Sequence, residues 1–216
     1  GVMTDCAACH LPPKGSFEYV KAKISIGVKD LWAYMTKNPE DTPDTPTYTE
    51  IEFEAGKPVA VDGKKMKLSE IVIALNKISG DNGFGRLDLV EDRLVGLKSR
   101  ECYEVPGALT LITAHKALED ICVEGDLLKT KIKLEQDWAT AVYNGQWYSP
   151  LKNALDAFMA DTQKFVTGTV RLKFFKGNCH VVGRKSPFSL YDYGLATYDR
   201  DTTFDEKASA ALFFSR

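Results

Sequence analysis

The stretch that decides the fold lies at residues 81–120 and reads DNGFGRLDLVEDRLVGLKSRECYEVPGALTLITAHKALED. Its first half mixes short apolar segments with charged residues, which predicts strand segments at residues 87–90 and 94–97 on either side of a charged middle. Its second half changes to a helical spacing of apolar residues. Because proline suits the first turn of a helix, we predict a helix that begins at Pro106 and ends near Cys122.

Strand signals lie at both ends of the sequence around this stretch. Residues 48–54 alternate polar and apolar side chains, and with the return segment at residues 58–61 they predict a β-hairpin. Residues 166–175 and 179–182, separated by a short glycine-containing turn, predict a second hairpin.

Further helices are predicted between the two hairpins. One has Ser69 as its N-cap and ends at Gly80, and two more cover residues 126–143 and residues 149–164, the last after Ser149-Pro150. Strands at both ends with helices grouped between them predict an α+β fold. We expect an antiparallel β-sheet with β-hairpins at both ends and a group of about four helices packed on it.

Composition and charge exclude several classes of partner. The 216 residues carry a formal net charge of −2, which favours neither nucleic acid nor an anionic membrane as a partner. No apolar run approaches the roughly 18–20 residues of a membrane span. Five scattered cysteines do not form the pattern of a secreted disulfide framework, and the N-terminus lacks the layout of a signal peptide. We therefore expect a cytoplasmic protein.

Residues 6–10 read CAACH, a pattern at which haem is attached in c-type cytochromes. Such a fold needs several helices and a second axial ligand, commonly a Met, around the haem. About 30 residues separate His10 from the domain that follows, and Met35 is the one methionine among them. We expect no haem. Metal binding or redox pairing of Cys6 and Cys9 is a second alternative. We interpret residues 1–28 as a divergent, poorly structured leader, followed by one domain over residues 29–216.

Few residues outside positions 83–106 carry chemistry. The sequence contains no phosphate loop, zinc pattern or nucleophile elbow, and His115 and His180 are interpreted as packed or solvated side chains. The charges of residues 86–104 could simply lie on the wet face of edge strands. That interpretation explains neither the glycines at 83 and 85 nor Tyr103, which stands near acids just before a helix.

The central stretch resembles the core signature of the argininosuccinate synthases. The segments DWATAVYNGQWYSPLKNALDAF and VTGTVRLKFFKGNCHVVGRKSPFSLYDYGLATYD resemble later parts of the same family, and the resemblance runs from about Leu31 to Ala208. The upstream segment PEDTPDTPTYTEIEFEAGKPVAVDG is similar to the start of the family's second domain.

This resemblance implies a ligase of arginine biosynthesis that joins citrulline and aspartate. In such enzymes ATP, with magnesium, activates citrulline as an adenylate with release of pyrophosphate, and the aspartate amine then displaces AMP. Two citrulline contacts of the family fall on matching positions: the glutamate of its V-E-[ND]-R motif is Glu91, and the tyrosine of its S-R-x-x-Y-E motif is Tyr103. Both are expected to bind and position substrate, and no catalytic residue is predicted.

The resemblance covers one part of the family's enzymes. The sequence has neither the Ser-Gly-Gly-x-Asp phosphate loop nor the Gly-Lys-Gly-Asn-Asp aspartate segment, so the ATP site is expected outside this chain. The expected partners are citrulline, an ATP-binding domain and further copies of the chain, since the family forms tetramers. The tail at residues 210–216 departs from the family's usual helix. A catalytically inactive fragment that keeps the fold or an assembly surface, and a haem- or metal-binding leader on an inert carrier, are the alternatives.

Overall fold

The computed structural model describes residues 35–196, so the predicted leader and the CAACH motif lie outside the described residues. Within that range, α-helices combine with antiparallel β-strands, and the α+β class is confirmed. No helix in it has both the length and the apolar character to cross a membrane. After a short 3-10 helix at Pro39–Asp41, the elements are β1 (Thr47–Glu54), β2 (Lys57–Val61), β3 (Lys64–Lys65), α1 (Leu68–Asp81), β4 (Arg86–Asp92), β5 (Lys98–Glu104), α2 (Pro106–Cys122), α3 (Gly125–Tyr143), α4 (Pro150–Thr162), β6 (Gly168–Phe175), β7 (Asn178–Lys185) and α5 (Tyr193–Ala196).

Five strands form one sheet in the order β3-β2-β1-β6-β7. Strands β1 and β6 alternate buried and exposed side chains along their length, as the sequence predicts. Since successive side chains of a strand point to opposite faces, the buried ones lie on one face. The large apolar side chains buried there are Ile51, Phe53, Val170, Leu172 and Phe174.

Two-residue turns close both predicted hairpins of this sheet. Ala55-Gly56 joins β1 to β2, Lys176-Gly177 joins β6 to β7, and all four residues have positive φ. Two consecutive positive φ angles are typical of a type I′ turn, whose twist matches that of the paired strands. The two predicted hairpins are therefore confirmed.

The remaining two strands form a separate hairpin, and here the prediction of a strand at residues 94–97 was wrong. Strands β4 and β5 pair antiparallel from Arg86 opposite Glu104 to Asp92 opposite Lys98, which leaves residues 94–97 as the turn. The turn is closed by Gly96 N–H on the Arg93 carbonyl and Arg93 N–H on the Leu97 carbonyl, both at 2.8 Å. Gly96 has a φ of 79°, so this is a turn with a glycine bulge.

Local caps explain why most helix boundaries match their predictions. Helix α2 begins at Pro106 and ends at Cys122. The Ser149 hydroxyl accepts a hydrogen bond from Lys152 N–H at 3.2 Å, and Pro150 follows it at the start of α4. Each signal acts within one helical turn, and a sequence pattern can therefore detect it.

The predicted N-cap of the first helix was wrong by two residues. Helix α1 begins at Leu68, and Ser69 is its second residue. The cap position belongs to Lys67, whose carbonyl accepts from Ile71 N–H at 3.0 Å. The Glu70 carboxylate bends back to accept from Lys67 N–H at 2.9 Å, so the glutamate half of a capping box replaces the expected serine.

The described residues divide into two compact units. One contains residues 35–47, 72–110 and 173–180, and it includes the β4–β5 hairpin. The other contains residues 48–71, 111–172 and 181–196, and it includes strands β1 to β3 together with helices α3 and α4. The boundary predicted between residues 28 and 29 falls outside the described residues and stays a prediction.

In the first unit, two charged side chains bind the base of the β4–β5 hairpin to an extended segment before it. The Glu104 carboxylate accepts from the backbone N–H groups of Met35 and Thr36, each at 3.1 Å, and from the Thr36 hydroxyl. Arg86, opposite Glu104, donates to the hydroxyl of Thr36 at 2.7 Å and to its carbonyl at 3.0 Å. Because such bonds to charged groups are strong, this base clamp of Thr36, Arg86 and Glu104 fixes where the hairpin starts.

In the second unit, a buried ion pair joins helices α2 and α3. Lys131 Nζ lies 3.0 Å from Glu119 Oε1 and also contacts Glu135. Gln163 donates to the same Glu119 carboxylate at 2.6 Å. Burial lowers the pKa of the Lys131 ammonium, but its hydrogen bonds with Glu135 and Glu119 outweigh that effect and the pKa is raised. Lys131 is therefore charged at neutral pH. Its positive charge compensates the buried Glu119 carboxylate.

The base clamp generates a stability prediction. Thr36→Val keeps the shape of the side chain but removes the hydroxyl that links Arg86 to Glu104. We expect the free energy of unfolding in urea to fall by about 1–3 kcal/mol, the cost of leaving part-buried polar groups unsatisfied. The control is Thr130→Val on the exposed face of α3, which should change it by less than about 0.5 kcal/mol. Equal values for the two variants would contradict a structural role of the clamp.

A second stability prediction concerns the buried ion pair. Lys131→Met leaves the buried Glu119 carboxylate without its cation, so we expect a loss of about 3–5 kcal/mol in the free energy of unfolding. Lys129→Met, in the same helix, removes only an exposed pair with Asp126 and should cost at most about 1 kcal/mol. Chemical denaturation of both variants measures the difference, and a loss below 1 kcal/mol for Lys131→Met would show that the pair is not stabilising.

Candidate functional site

Strand pairing divides the side chains of the β4–β5 hairpin between two faces. Leu87 lies opposite Tyr103, and Glu91 lies opposite Ser99. Because side chains alternate along a strand, all four lie on the same face. This Glu91 face consists of Leu87, Leu89, Glu91, Ser99, Glu101 and Tyr103, and the opposite face carries Arg86, Asp88, Val90, Asp92, Lys98, Arg100, Cys102 and Glu104.

The two site residues predicted from the family resemblance both lie on the Glu91 face, on different strands. The negative charge of Glu91 acts on the Tyr103 phenol. Glu91 is half-buried and Tyr103 is 39% exposed, so a small molecule can reach both. A carboxylate beside a phenol can hold an ammonium group and a second polar group of one ligand.

The protonation of Tyr103 follows from its surroundings. Burial raises the pKa of the Tyr103 phenol, and the negative charges of Glu91 and Glu101 and the hydrogen bond with Glu91 raise it further. Nearby Arg93 opposes this only in part. The phenol is therefore protonated at neutral pH, and its O–H is available as a hydrogen-bond donor.

Ion pairs neutralise three of the other carboxylates of the hairpin. Arg93 pairs with Glu101 beside the site, and Lys98 pairs with Asp92 at 2.5 Å on the opposite face. Also on that face, Arg100 binds the two oxygens of Asp88 at 2.8 and 2.6 Å, which lowers the pKa of that carboxyl. Glu91 takes part in none of these three pairs. These three pairs therefore leave its charge uncompensated.

A cavity of about 630 Å³ lies in the second unit, between the β1–β2 hairpin and helices α2 to α4. Its apolar walls include Phe53, Trp138 and Met159. Its carboxylates are already bound to protein groups: Glu119 to Lys131 and Gln163, Glu135 to Lys131, and Asp156 to Lys152 and to the Trp138 indole at 2.8 Å. The cavity has the size of a ligand pocket, but its carboxylates are already compensated. We therefore place the candidate site on the hairpin.

Sequence reasoning missed the polar groups that support both units. Glu104 and Thr36 are far apart in the sequence, so no local pattern connects them. His115 was interpreted as packed or solvated, and its Nε2 is bonded to Gln163 Oε1 at 2.8 Å, while its ring contacts Phe53. The spacing of His115 and Glu119 on one helical face was the one signal that could have indicated this cluster.

Comparison with known proteins identifies the family of this chain. The family model of the argininosuccinate synthase C-terminal domain matches residues 17–214, so its match begins within the segment predicted as a leader. The chain is 52% identical over 178 residues to the argininosuccinate synthase of Rubrobacter xylanophilus, which covers 82% of the chain and 44% of that relative. It is 48% identical over 212 residues to the synthase of Bacillus pumilus, covering 98% of the chain and 48% of that relative.

A third relative gives the same proportions. The argininosuccinate synthase of Bacillus subtilis is 53% identical over 183 residues, which is 85% of the chain and 44% of that protein. The chain thus spans a little under half the length of the curated relatives that it matches. From these matches and from the family model, the chain belongs to the argininosuccinate synthase family and corresponds to its C-terminal domain.

Proposed function

We propose that the β4–β5 hairpin is the citrulline-binding element of an argininosuccinate synthase. In this proposal the chain contributes to the ATP-dependent joining of citrulline and aspartate to argininosuccinate in arginine biosynthesis. The observation that carries it is the placement of Glu91 and Tyr103 on one half-exposed face of the hairpin. The names of the relatives support the reaction, and the positions of the two side chains support the binding role.

The chemistry of a free α-amino acid fits this pair. Its ammonium group needs a carboxylate within hydrogen-bonding distance, and Glu91 has no cation among the three ion pairs of the hairpin. A carboxylate has about four acceptor sites, so Glu91 can accept from the ammonium and from Tyr103 at the same time. The Tyr103 ring then forms an apolar wall beside the carbon chain of the substrate.

In this proposal the residues of this chain bind and orient citrulline, and other parts of the enzyme activate it. ATP, bound with magnesium outside this chain, supplies the adenylate chemistry in the proposed reaction. The contribution of Glu91 and Tyr103 is to hold the amino-acid end of citrulline so that its ureido oxygen points away from the hairpin. Fixing the substrate in this way reduces the entropic part of the barrier for the step that follows.

The proposal also covers location and assembly. We propose that the enzyme works in the cytoplasm as a homo-oligomer, with an ATP-binding domain as the partner of this chain. Helices α3 and α4 leave Ile132, Tyr143 and Leu151 exposed, and such apolar side chains support assembly through this half. A catalytically inactive fragment is the competing interpretation, and the kinetic test below separates it from the active enzyme.

The first test replaces the proposed ammonium ligand. In a fusion of this chain with the unmatched part of the Bacillus subtilis relative, Glu91→Gln removes the charge and keeps the shape. We expect kcat/KM for citrulline to fall by the equivalent of about 1.5–3 kcal/mol, the worth of a charge-assisted hydrogen bond. The KM for aspartate should change much less.

The matched control for this test is Asp92→Asn, which removes a neighbouring carboxylate from the opposite face of the hairpin. It should leave citrulline kinetics unchanged, because Asp92 is exposed and paired with Lys98. Tyr103→Phe should cost about 0.5–1.5 kcal/mol, since it removes one neutral hydrogen bond and keeps the ring. Unchanged citrulline kinetics in Glu91→Gln would refute the site, and a wild-type fusion without activity would favour the inactive fragment.

A second test uses the titration of Tyr103 in the chain itself. Because the charge of Glu91 and its hydrogen bond raise the pKa of the Tyr103 phenol, Glu91→Gln should lower that pKa. NMR of the chain with ¹³C-labelled tyrosine follows the titration, and Tyr103→Phe identifies the signal. Asp92→Asn is again the control and should leave the pKa of Tyr103 nearly unchanged. An unchanged titration in Glu91→Gln would mean that the two side chains do not interact in solution.

A further inference from the structure

The tip of the β4–β5 hairpin, residues 94–97, presents apolar side chains to water. Leu94 is 80% exposed, Val95 is 79% exposed and Leu97 is 66% exposed. Val90, at the adjoining end of strand β4, is 67% exposed. Single exposed apolar residues are ordinary in soluble proteins, but a cluster of them typically marks a surface that contacts another molecule.

The turn itself does not require these side chains. Its closure depends on the two backbone hydrogen bonds between Arg93, Gly96 and Leu97 and on the positive φ of Gly96. The central positions of such a turn favour Asn, Asp, Ser, Pro or Gly, whose conformations or side-chain hydrogen bonds stabilise it. Leu94 and Val95 offer neither advantage. Folding of the hairpin therefore does not explain them.

The proposed reaction requires that another part of the enzyme comes close to this hairpin. Citrulline held by Glu91 and Tyr103 reacts at its ureido end, and reacting groups must approach to about 3–3.5 Å. The chain spans 44–48% of the lengths of its relatives, so the activating groups belong to the part that it does not cover. That part must approach to within the length of one amino acid from Glu91, and the tip begins three residues after Glu91.

We propose that the hairpin tip is a docking surface for the part of argininosuccinate synthase that this chain does not cover. Leu94 and Val95 form the apolar centre of this surface, and the charged residues Arg93 and Lys98 form its polar rim, an arrangement typical of protein interfaces. The docking holds the two parts together beside the Glu91 face. This inference rests on the proposed function, because citrulline binding is what places the other part next to the hairpin.

The experiment measures how accessible the tip is, with and without the other part. Val95→Cys is labelled with a maleimide in the chain alone and in the fusion described above, in the absence of substrates. Trypsin cleaves after Arg93 and Lys98, so the label is counted on a peptide of residues 94–98. The control is Lys64→Cys in the exposed edge strand β3, which should react equally fast in both proteins.

We expect the Val95→Cys thiol to react at least tenfold more slowly in the fusion than in the chain alone. Adding Leu94→Asp to the fusion should restore at least half of the lost rate, because a carboxylate is disfavoured in an apolar contact. Equal rates in the two proteins would overturn the proposal. A rate that falls with rising concentration of the chain alone would also overturn it, because a second copy would then cover the tip.

The outcome is independent of the test of citrulline binding, because no substrate is present during labelling. A protected tip together with unchanged citrulline kinetics in Glu91→Gln would refute the binding role and leave the docking surface intact. Rapid labelling together with the expected kinetic loss would refute the docking surface alone.

Discussion

The candidate site depends on the contact between the Glu104 carboxylate and the backbone of Met35 and Thr36. A two-stranded ribbon buries little apolar surface, and it is marginally stable by itself. Strands β4 and β5 form such a ribbon, outside the five-stranded sheet. Its geometry must therefore be set where it leaves the rest of its unit. The charged side chains of Arg86 and Glu104, which lie opposite each other in the first residue pair of the ribbon, set this geometry through their hydrogen bonds to the segment before it.

Backbone packing at the same place adds to this constraint. The Val105 N–H donates to the Gly85 carbonyl at 2.8 Å, next to the Arg86–Glu104 pair at the base of the hairpin. A Cβ atom at Gly85 would lie 2.2 Å from Cα of Pro106, the first residue of α2, so no other residue fits there. The end of the hairpin and the start of the helix are thus in direct contact. The interpretation of the charges as the wet face of edge strands explained neither Gly83 nor Gly85. The contact with Pro106 accounts for Gly85.

Side chains alternate between the two faces of the ribbon, so its charged residues make different contacts on each face. Arg100 and Asp88 form a two-bonded pair on one face, where they brace the strands against each other. On the other face, Arg93 compensates Glu101, and Glu91 lies on the same face as the Tyr103 phenol. A sequence with many charges in a short stretch thus contains both structural groups and the group proposed to bind substrate. Their position on one face or the other separates them.

The elements that could be predicted from the sequence are those whose signals are local. Helices α2 and α4 begin at prolines, and the β1–β2 and β6–β7 hairpins close at X-Gly turns, each within a few residues. The strand predicted at residues 94–97 failed because apolar side chains favour a strand, whereas the pairing of β4 with β5 and Gly96 determine the turn. Glu91 and Tyr103 were identified through the family resemblance. That they share a face could have been deduced from the alternation of side chains along the strands, but only if the turn had been placed correctly. The contact of Glu104 with Thr36 has no local signal, because the two residues are far apart in the sequence.

The position of the turn has a consequence for how this protein can evolve. Register in the ribbon is set from its base, so residues inserted within positions 94–97 lengthen the loop and leave Glu91 opposite Ser99. An insertion of one residue between positions 86 and 91 would instead move Glu91 to the other face, away from Tyr103. The outer end of the hairpin can therefore accept changes in length that the strands cannot. The proposed substrate-binding residues and the shape of the loop can then diverge separately among the members of the family.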